Sequence, residues 1–163
     1  MTEETRYRLR PERRRDADFL LDLYGDVRRP EMEAAAWPAA QRQAFLRDQL
    51  RLQSLHYHRV YPAADFDIVE VATVAVGRLY RHEGRSDIRI IDLSLLSAHR
   101  NRGLGSALLR EITAQAAAGQ KTVSLQVAFG NPAIRLYRRF GFRVTDPPDP
   151  THIVMQLAAP PQG

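Results

Sequence analysis

The stretch Arg100-Asn101-Arg102-Gly103-Leu104-Gly105-Ser106 carries two guanidinium groups and two glycines spaced two apart, directly ahead of an amphipathic run. Glycines let backbone N–H groups approach a ligand with no Cβ in the way. A helix that begins there adds unpaired N–H donors and a partial positive charge in its first turn. Together these features suit a bound anion, and a pyrophosphate in particular. Two other phosphate motifs are excluded. Leu108 stands where the dinucleotide fingerprint G-x-G-x-x-G needs its third glycine, and no Gly-Lys-Ser/Thr occurs to make a P-loop. On its own, a pair of glycines fits an ordinary strand-to-helix turn better than a binding site.

A second segment, Asn131-Pro132-Ala133-Ile134-Arg135-Leu136-Tyr137-Arg138-Arg139-Phe140-Gly141-Phe142, follows about one strand downstream. Covalent catalysis finds no obvious attacking group, because the chain has no cysteine and no G-x-S-x-G nucleophile elbow. Asp92, Glu70 and His99 are titratable groups placed to move a proton, although a surface or ion-paired carboxylate is the plainer reading of either acid. The run His56-Tyr57-His58 invites a metal reading. Histidines two apart do not share a helix face, and no further ligand cluster is near, so a helix end lining a groove is the better reading.

The elements that position these residues show as changes of period. Residues 7–10 alternate Tyr7 and Leu9 with arginines and form a short strand ended by Pro11. Residues 16–28 carry Phe19, Leu20, Leu23, Tyr24 and Val27 at helical spacing, with Asp16 as N-cap and Pro30 as terminator. Pro38 suits the first turn of a longer helix through Phe45, Leu46, Gln49, Leu50 and Leu52, closing near Pro62. Residues 66–71, 73–80 and 88–95 read as three consecutive antiparallel strands, the second link being Gly84-Arg85-Ser86. Helical spacing returns from Leu104 through Leu108, Ile112 and Ala116, with Gly119 as the stop. Residues 122–128 form a buried strand and 132–140 a short helix ended by Gly141. Strands over 142–145 and 152–157 flank a proline-rich loop at 146–150, and 158–163 should fray. The expected order is β-α-α-β-β-β-α-β-α-β-β, one α/β layer structure with a mixed sheet.

At 163 residues, 44% hydrophobic and 26% charged, the chain has the size and balance of one globular domain that needs no disulfide. No apolar run approaches the roughly 20 residues that span a bilayer, and residues 1–15 lack a signal-peptide core, so a cytoplasmic protein with no membrane partner is expected. The net charge is +5, and of 24 basic residues only Lys121 is lysine, a surface that favours anions. The basic residues are scattered without aromatic interleaving, which argues against nucleic acid as a partner.

The two segments together resemble the GCN5-related N-acetyltransferase (GNAT) superfamily. Its phosphate motif, Arg/Gln-x-x-Gly-x-Gly/Ala, is met by Arg100, Gly103 and Gly105, and its second motif by Asn131, Ala133, Leu136, Tyr137, Gly141 and Phe142. The likeness in element order runs from Tyr7 to Leu157. It implies a single α/β (α+β) domain over 1–157, with a mixed, mostly antiparallel sheet flanked by helices and a flexible tail at 158–163. Two departures stand out: Ser97 replaces the usual proline, and Gln126 occupies the position where some members carry a glutamate base.

The resemblance also implies a chemistry: direct attack of an amine on acetyl-coenzyme A, with no metal and no covalent intermediate. Pantetheine would lie where the strand before the phosphate turn splays from the next. Leu93 and Leu95 would bond the cofactor through backbone groups, and the Leu95 N–H would polarise the thioester oxygen. Arg100 and Asn101 belong to the same cofactor site, the amides of Arg102, Gly103, Leu104, Gly105 and Ser106 would hold the pyrophosphate, and Asn131 would contact the pantetheine arm. Tyr137 is the candidate acid, since a phenol with an ordinary pKa of about 10 can protonate a thiolate; packing the helix onto the sheet is its alternative role. Asp92 is the candidate base, with Glu70 second.

In this superfamily the link between the first two helices and the loop before the last strand select the acceptor. Here those are 25–38, with Asp26, Glu31 and Glu33, and 146–151, with Asp146 and Asp149; a cationic small-molecule amine is expected. A peptide or protein amine is the near alternative. A non-catalytic module binding coenzyme A or an acidic macromolecule is the distant one. A homodimer is compatible with the sequence.

Overall fold

A computed structural model describes residues 6–145 and 151–162. Its elements are β1 (Arg8–Pro11), a 3₁₀ turn (Arg14–Asp16), α1 (Ala17–Val27), α2 (Arg29–Ala35), α3 (Ala39–Val60), β2 (Asp65–Val71), β3 (Val74–Glu83) and β4 (Asp87–Leu95). A second 3₁₀ turn (Ser97–His99), α4 (Leu104–Ala118), β5 (Thr122–Ala128), α5 (Ala133–Arg139), β6 (Arg143–Val144) and β7 (His152–Leu157) follow. The strands form a mixed sheet in the order β1-β2-β3-β4-β5-β7-β6. Among the described residues, no helix is long and apolar enough to cross a membrane. The described chain forms two compact units, one of residues 6–80 and 92–102, the other of 81–91, 103–145 and 151–162.

In the first unit β1 pairs antiparallel with β2, from Arg8↔Glu70 to Pro11↔Asp67. Pro11 has no N–H to give a ladder, and it ends a strand at the sheet edge where none is required. Leu21, Met32 and Leu46 form a buried cluster, extended by Tyr24, Phe45 and Leu50. Pro30 stands just past the end of α1 at Val27, as the sequence suggested. It falls in the first turn of α2, where a missing N–H is harmless, so the expected 25–38 link contains an additional helix. Asp16 holds the N-cap position of α1, but its side chain makes no capping bond there. Its buried carboxylate instead takes the guanidinium fork of Arg10 at 2.7 and 2.9 Å and the N–H of Arg13 at 2.7 Å. The β2–β3 hairpin turns on Ala72 (φ 49°) and Thr73 (φ 66°), so Thr73 lies in the turn rather than in the expected strand.

In the second unit α4 buries Leu104, Leu108, Leu109, Ile112 and Ala116. Val123 and Leu125 of β5, Ile153 and Met155 of β7, and Phe142 are buried with them. β4 pairs parallel to β5 from Asp87↔Thr122 to Ile90↔Leu125. β5 pairs antiparallel with β7 from Val123↔Leu157 to Ala128↔His152, and β6 pairs with β7 over two residues, shorter than expected. The proline-rich loop 146–150, with Asp146 and Asp149, lies outside the described residues, as does Gly163 of the expected tail; 158–162 has no regular structure.

Candidate active site

The start of α4 is built to leave donors open. Gly103 is its N-cap, in the left-handed conformation (φ 86°), and no side chain caps the helix. The Ala107 N–H bonds the Gly103 carbonyl at 3.0 Å and closes the first helical turn. The N–H groups of Leu104, Gly105 and Ser106 precede that turn and have no intrahelical acceptor. A serine, threonine or aspartate at the N-cap would satisfy one of them; glycine does not. Gly105 also lets α5 come close, since a Cβ there would lie 3.2 Å from Leu136 Cδ2. The two sequence segments singled out above therefore touch. A row of uncapped amides at a helix start, with no carboxylate among them, fits the diphosphate of coenzyme A.

The preceding turn is fixed by one carboxylate. Asp26 Oδ2 accepts the Ser97 N–H at 2.7 Å and Arg100 at 3.2 Å, while Oδ1 accepts Arg29 at 2.8 Å and the Ser97 hydroxyl at 3.0 Å. Arg100 Nε also donates to the Leu95 carbonyl at 2.9 Å. The expectation that Asp26 attracts a cationic amine is corrected: its side chain is 8% exposed and saturated with donors. Proline at position 97 has no N–H to give, so the departure at Ser97 is what admits this bracket. Glu31 is likewise paired, with Arg28 at 2.9 Å. Asn101 (φ 59°) and Arg102 are exposed.

Leu93 and Leu95 are half-buried near the end of β4. Gly77 of β3 allows that end to lie flat, because a Cβ there would fall 2.4 Å from the Ser94 carbonyl oxygen. Asp92 is held on three sides. Arg78 reaches its Oδ2 at 2.8 Å, the Tyr57 hydroxyl donates to the same oxygen at 3.3 Å, and the Ser94 hydroxyl donates to Oδ1 at 2.5 Å. Burial, then the charge of Asp92, pushes the Tyr57 phenol well above its ordinary value. Burial works against the Arg78 charge, but Asp92, with Tyr80 and Tyr57, more than offsets it and the guanidinium stays protonated. The other carboxylate considered, Glu70, faces Arg10 Nε at 3.0 Å.

A family model described as an acetyltransferase (GNAT) domain matches residues 56–144, more than half of the sequence. The chain belongs to the GNAT acetyltransferase family. No curated protein is significantly similar in sequence. Solved structures share the GNAT fold. The PaiA N-acetyltransferase of Thermoplasma acidophilum, in complex with coenzyme A, is 15% identical with a TM-score of 0.66, covering 93% of this chain and 98% of its own. An acetyltransferase from Thermus thermophilus is 22% identical with a TM-score of 0.68, covering 93% and 96%. Ard1 from Thermoplasma volcanium is 21% identical with a TM-score of 0.61, covering 95% and 99%.

The remaining residues of the GNAT motifs lie in the second unit. Tyr137 is 6% exposed on α5, its ring 5.7 Å from that of Phe142. The Asn131 side-chain oxygen accepts the Ala133 N–H at 2.9 Å, fixing the entry into α5. Gln126, where a glutamate base was sought, is exposed on β5. His58 of the His56-Tyr57-His58 run stacks on Phe66 at 4.1 Å and bonds the Ser54 carbonyl at 2.8 Å. Among the described residues, no group of three or more His, Cys, Asp or Glu could hold a metal ion. Sequence reasoning missed Arg78, Gln53 and Tyr57. The available signal was an arginine in the middle of an apolar strand, between Val76 and Leu79.

Proposed function

We propose that this chain, as one acyltransferase domain over residues 1–157, moves an acetyl group from acetyl-coenzyme A to a primary amine by direct attack. The observation that carries the reading is the first turn of α4, whose amides at Leu104, Gly105 and Ser106 lack both a side-chain cap and an intrahelical acceptor. Acetyl-coenzyme A supplies the activated thioester. The amides from Arg102 to Ser106 hold its diphosphate. Arg100, bonded to Leu95 and Asp26, sets the path of the turn through Asn101. The backbone of Leu93 and Leu95 aligns the pantetheine, and the Leu95 N–H meets the developing oxyanion. Asn131 bonds the pantetheine arm.

Tyr137 donates the proton that the departing thiolate needs. Asp92 accepts the amine proton directly or through water. Its contact with Arg78 holds it in place between turnovers.

Thiol release from acetyl-coenzyme A with pooled amines, peptides included, tests this reading. Tyr137→Phe keeps the ring against Phe142 and removes the donor. Turnover should fall at least about a hundred-fold while coenzyme A affinity holds, the low end expected for loss of a general acid. Binding without turnover across the whole panel would contradict the enzyme and leave a coenzyme A-binding module.

A further inference from the structure

A cavity of about 360 Å³ opens within the first unit, walled by α1, α3 and the strand residues Arg78 and Tyr80. That volume is at the small end of the roughly 300–1,000 Å³ typical of ligand sites. Arg78 is the unusual element of its wall. The side chain is 5% exposed, its guanidinium lies 4.8 Å above the Tyr80 ring, and one terminal nitrogen serves both Gln53 and Asp92 at 2.8 Å. Its Nε–H is buried and has no hydrogen-bond partner among the described residues. A buried donor left unpaired is costly, and a charge-assisted bond to a carboxylate oxygen would relieve it most.

The other charges around the cavity are close to balance. Arg47 and Arg51 line it against Glu12 and Asp18, Arg51 being paired with Asp48 at 3.1 Å and Glu12 accepting from the Tyr80 hydroxyl. Arg78 is the cation buried in the wall, so a carboxylate suits that end better than an ammonium, the opposite of what the acidic link at 25–38 suggested.

We propose that this cavity takes the carboxylate end of the acceptor, so that the substrate is a small amine of the amino-acid class, docked by its carboxylate on Arg78. This rests on the acetyl-transfer reading. The same guanidinium touches Asp92, so a carboxylate bound to Arg78 lies one side chain from the proposed base and from the β4 backbone that receives the thioester. An amine within a few bonds of that carboxylate is then within reach of Asp92.

Each common L-amino acid is tested beside its own carboxamide, both for thiol release with acetyl-coenzyme A and for binding by calorimetry. Ser54→Trp, which fills the cavity from an exposed lining position, is tested alongside. At least one amino acid should show a kcat/KM ten-fold or more above its amide, and Ser54→Trp should abolish that preference while coenzyme A binding persists. Equal turnover of acid and amide, or a preference untouched by Ser54→Trp, overturns the proposal while acetyl transfer stands. Amino acids that bind where their amides do not, with no turnover of any amine, keep the cavity assignment and sink acetyl transfer. Absence of both binding and turnover for every amino acid overturns it as well.

Discussion

In the unit of residues 6–80 and 92–102, three carboxylates are enclosed by guanidinium groups: Asp16 by Arg10, Asp92 by Arg78, and Asp26 by Arg29 and Arg100. In the other unit the fully buried positions are hydrophobic, among them Leu108, Ile112, Val123, Leu125 and Met155. The half-buried Asp87 is held there by the Thr122 and Ser124 hydroxyls instead of a guanidinium. The ion pair of Lys121 with Glu83 in that unit involves a carboxylate 46% exposed. Directional bonds between charges fix geometry sharply, but each fails outright when one partner goes. Hydrocarbon packing yields in proportion to the volume removed. The unit that carries the proposed base and acceptor cavity is therefore the brittle one.

Arg78→Met should show that contrast at its largest. It strands Asp92 and should cost about 3–5 kcal/mol in urea unfolding, the penalty of an uncompensated buried charge. Ile112→Val in the hydrocarbon unit should cost only about 0.5–1.5 kcal/mol. Similar losses for the two would break the comparison.

Two glycines sharpen it. An alanine Cβ at Gly77 would meet backbone, the Ser94 oxygen at 2.4 Å, whereas at Gly105 it meets the flexible end of Leu136 at 3.2 Å. Gly77→Ala should lose about 1–3 kcal/mol, as overpacking does, and Gly105→Ala clearly less. Denaturation midpoints of both variants decide it.

Acid should act through the first unit. The Arg10 hydrogen bonds, with the Arg13 N–H adding to them, hold the Asp16 carboxyl below its ordinary value of 3.8. A depressed carboxyl stabilises fully above its unfolded pKa and loses that contribution as pH falls through the folded value. Thermal melts from pH 6 down to about pH 2.5 should therefore lose part of their slope below about pH 4 in Asp16→Asn. The same slope in both proteins would remove Asp16 from the account.

The smallest effect should be a gain. Thr73 is β-branched and holds φ 66° in the β2–β3 turn, a conformation natural to glycine. Thr73→Gly should change stability by no more than about 1 kcal/mol, in the favourable direction once relief of strain exceeds the added freedom of the unfolded chain. A clear loss would mean that the threonine side chain contributes packing at this turn.

The same contrast explains what could be read from the sequence. Period is a property of hydrocarbon, so α4 with its Leu104, Leu108, Ile112 and Ala116 stripe, and the β-β-β run of β2 to β4, stand out in sequence order. The turn ahead of α4 was legible for a different reason, since Gly103 holds a left-handed φ of 86° and Gly105 faces Leu136 closely, and both residue types show in the sequence. Polar brackets leave no period. Asp26 reads as one acid in an acidic link, yet it binds Ser97, more than 70 positions away. Asp16 looks like a cap until Arg10 is found on it. Pro30 signals a helix boundary without saying which side of it the helix lies on, and α2 was lost to that ambiguity.

The central claim is that the uncapped amides at the start of α4 hold the diphosphate of coenzyme A, and calorimetric titration with coenzyme A beside pantetheine, at near-physiological salt, tests it most directly. Pantetheine keeps the thiol arm and lacks the diphosphate. Two charge-assisted hydrogen bonds at about 1.5–3 kcal/mol each set the expectation that pantetheine binds at least about a hundred-fold more weakly. Equal affinity for the two, or no heat with coenzyme A itself, would contradict it.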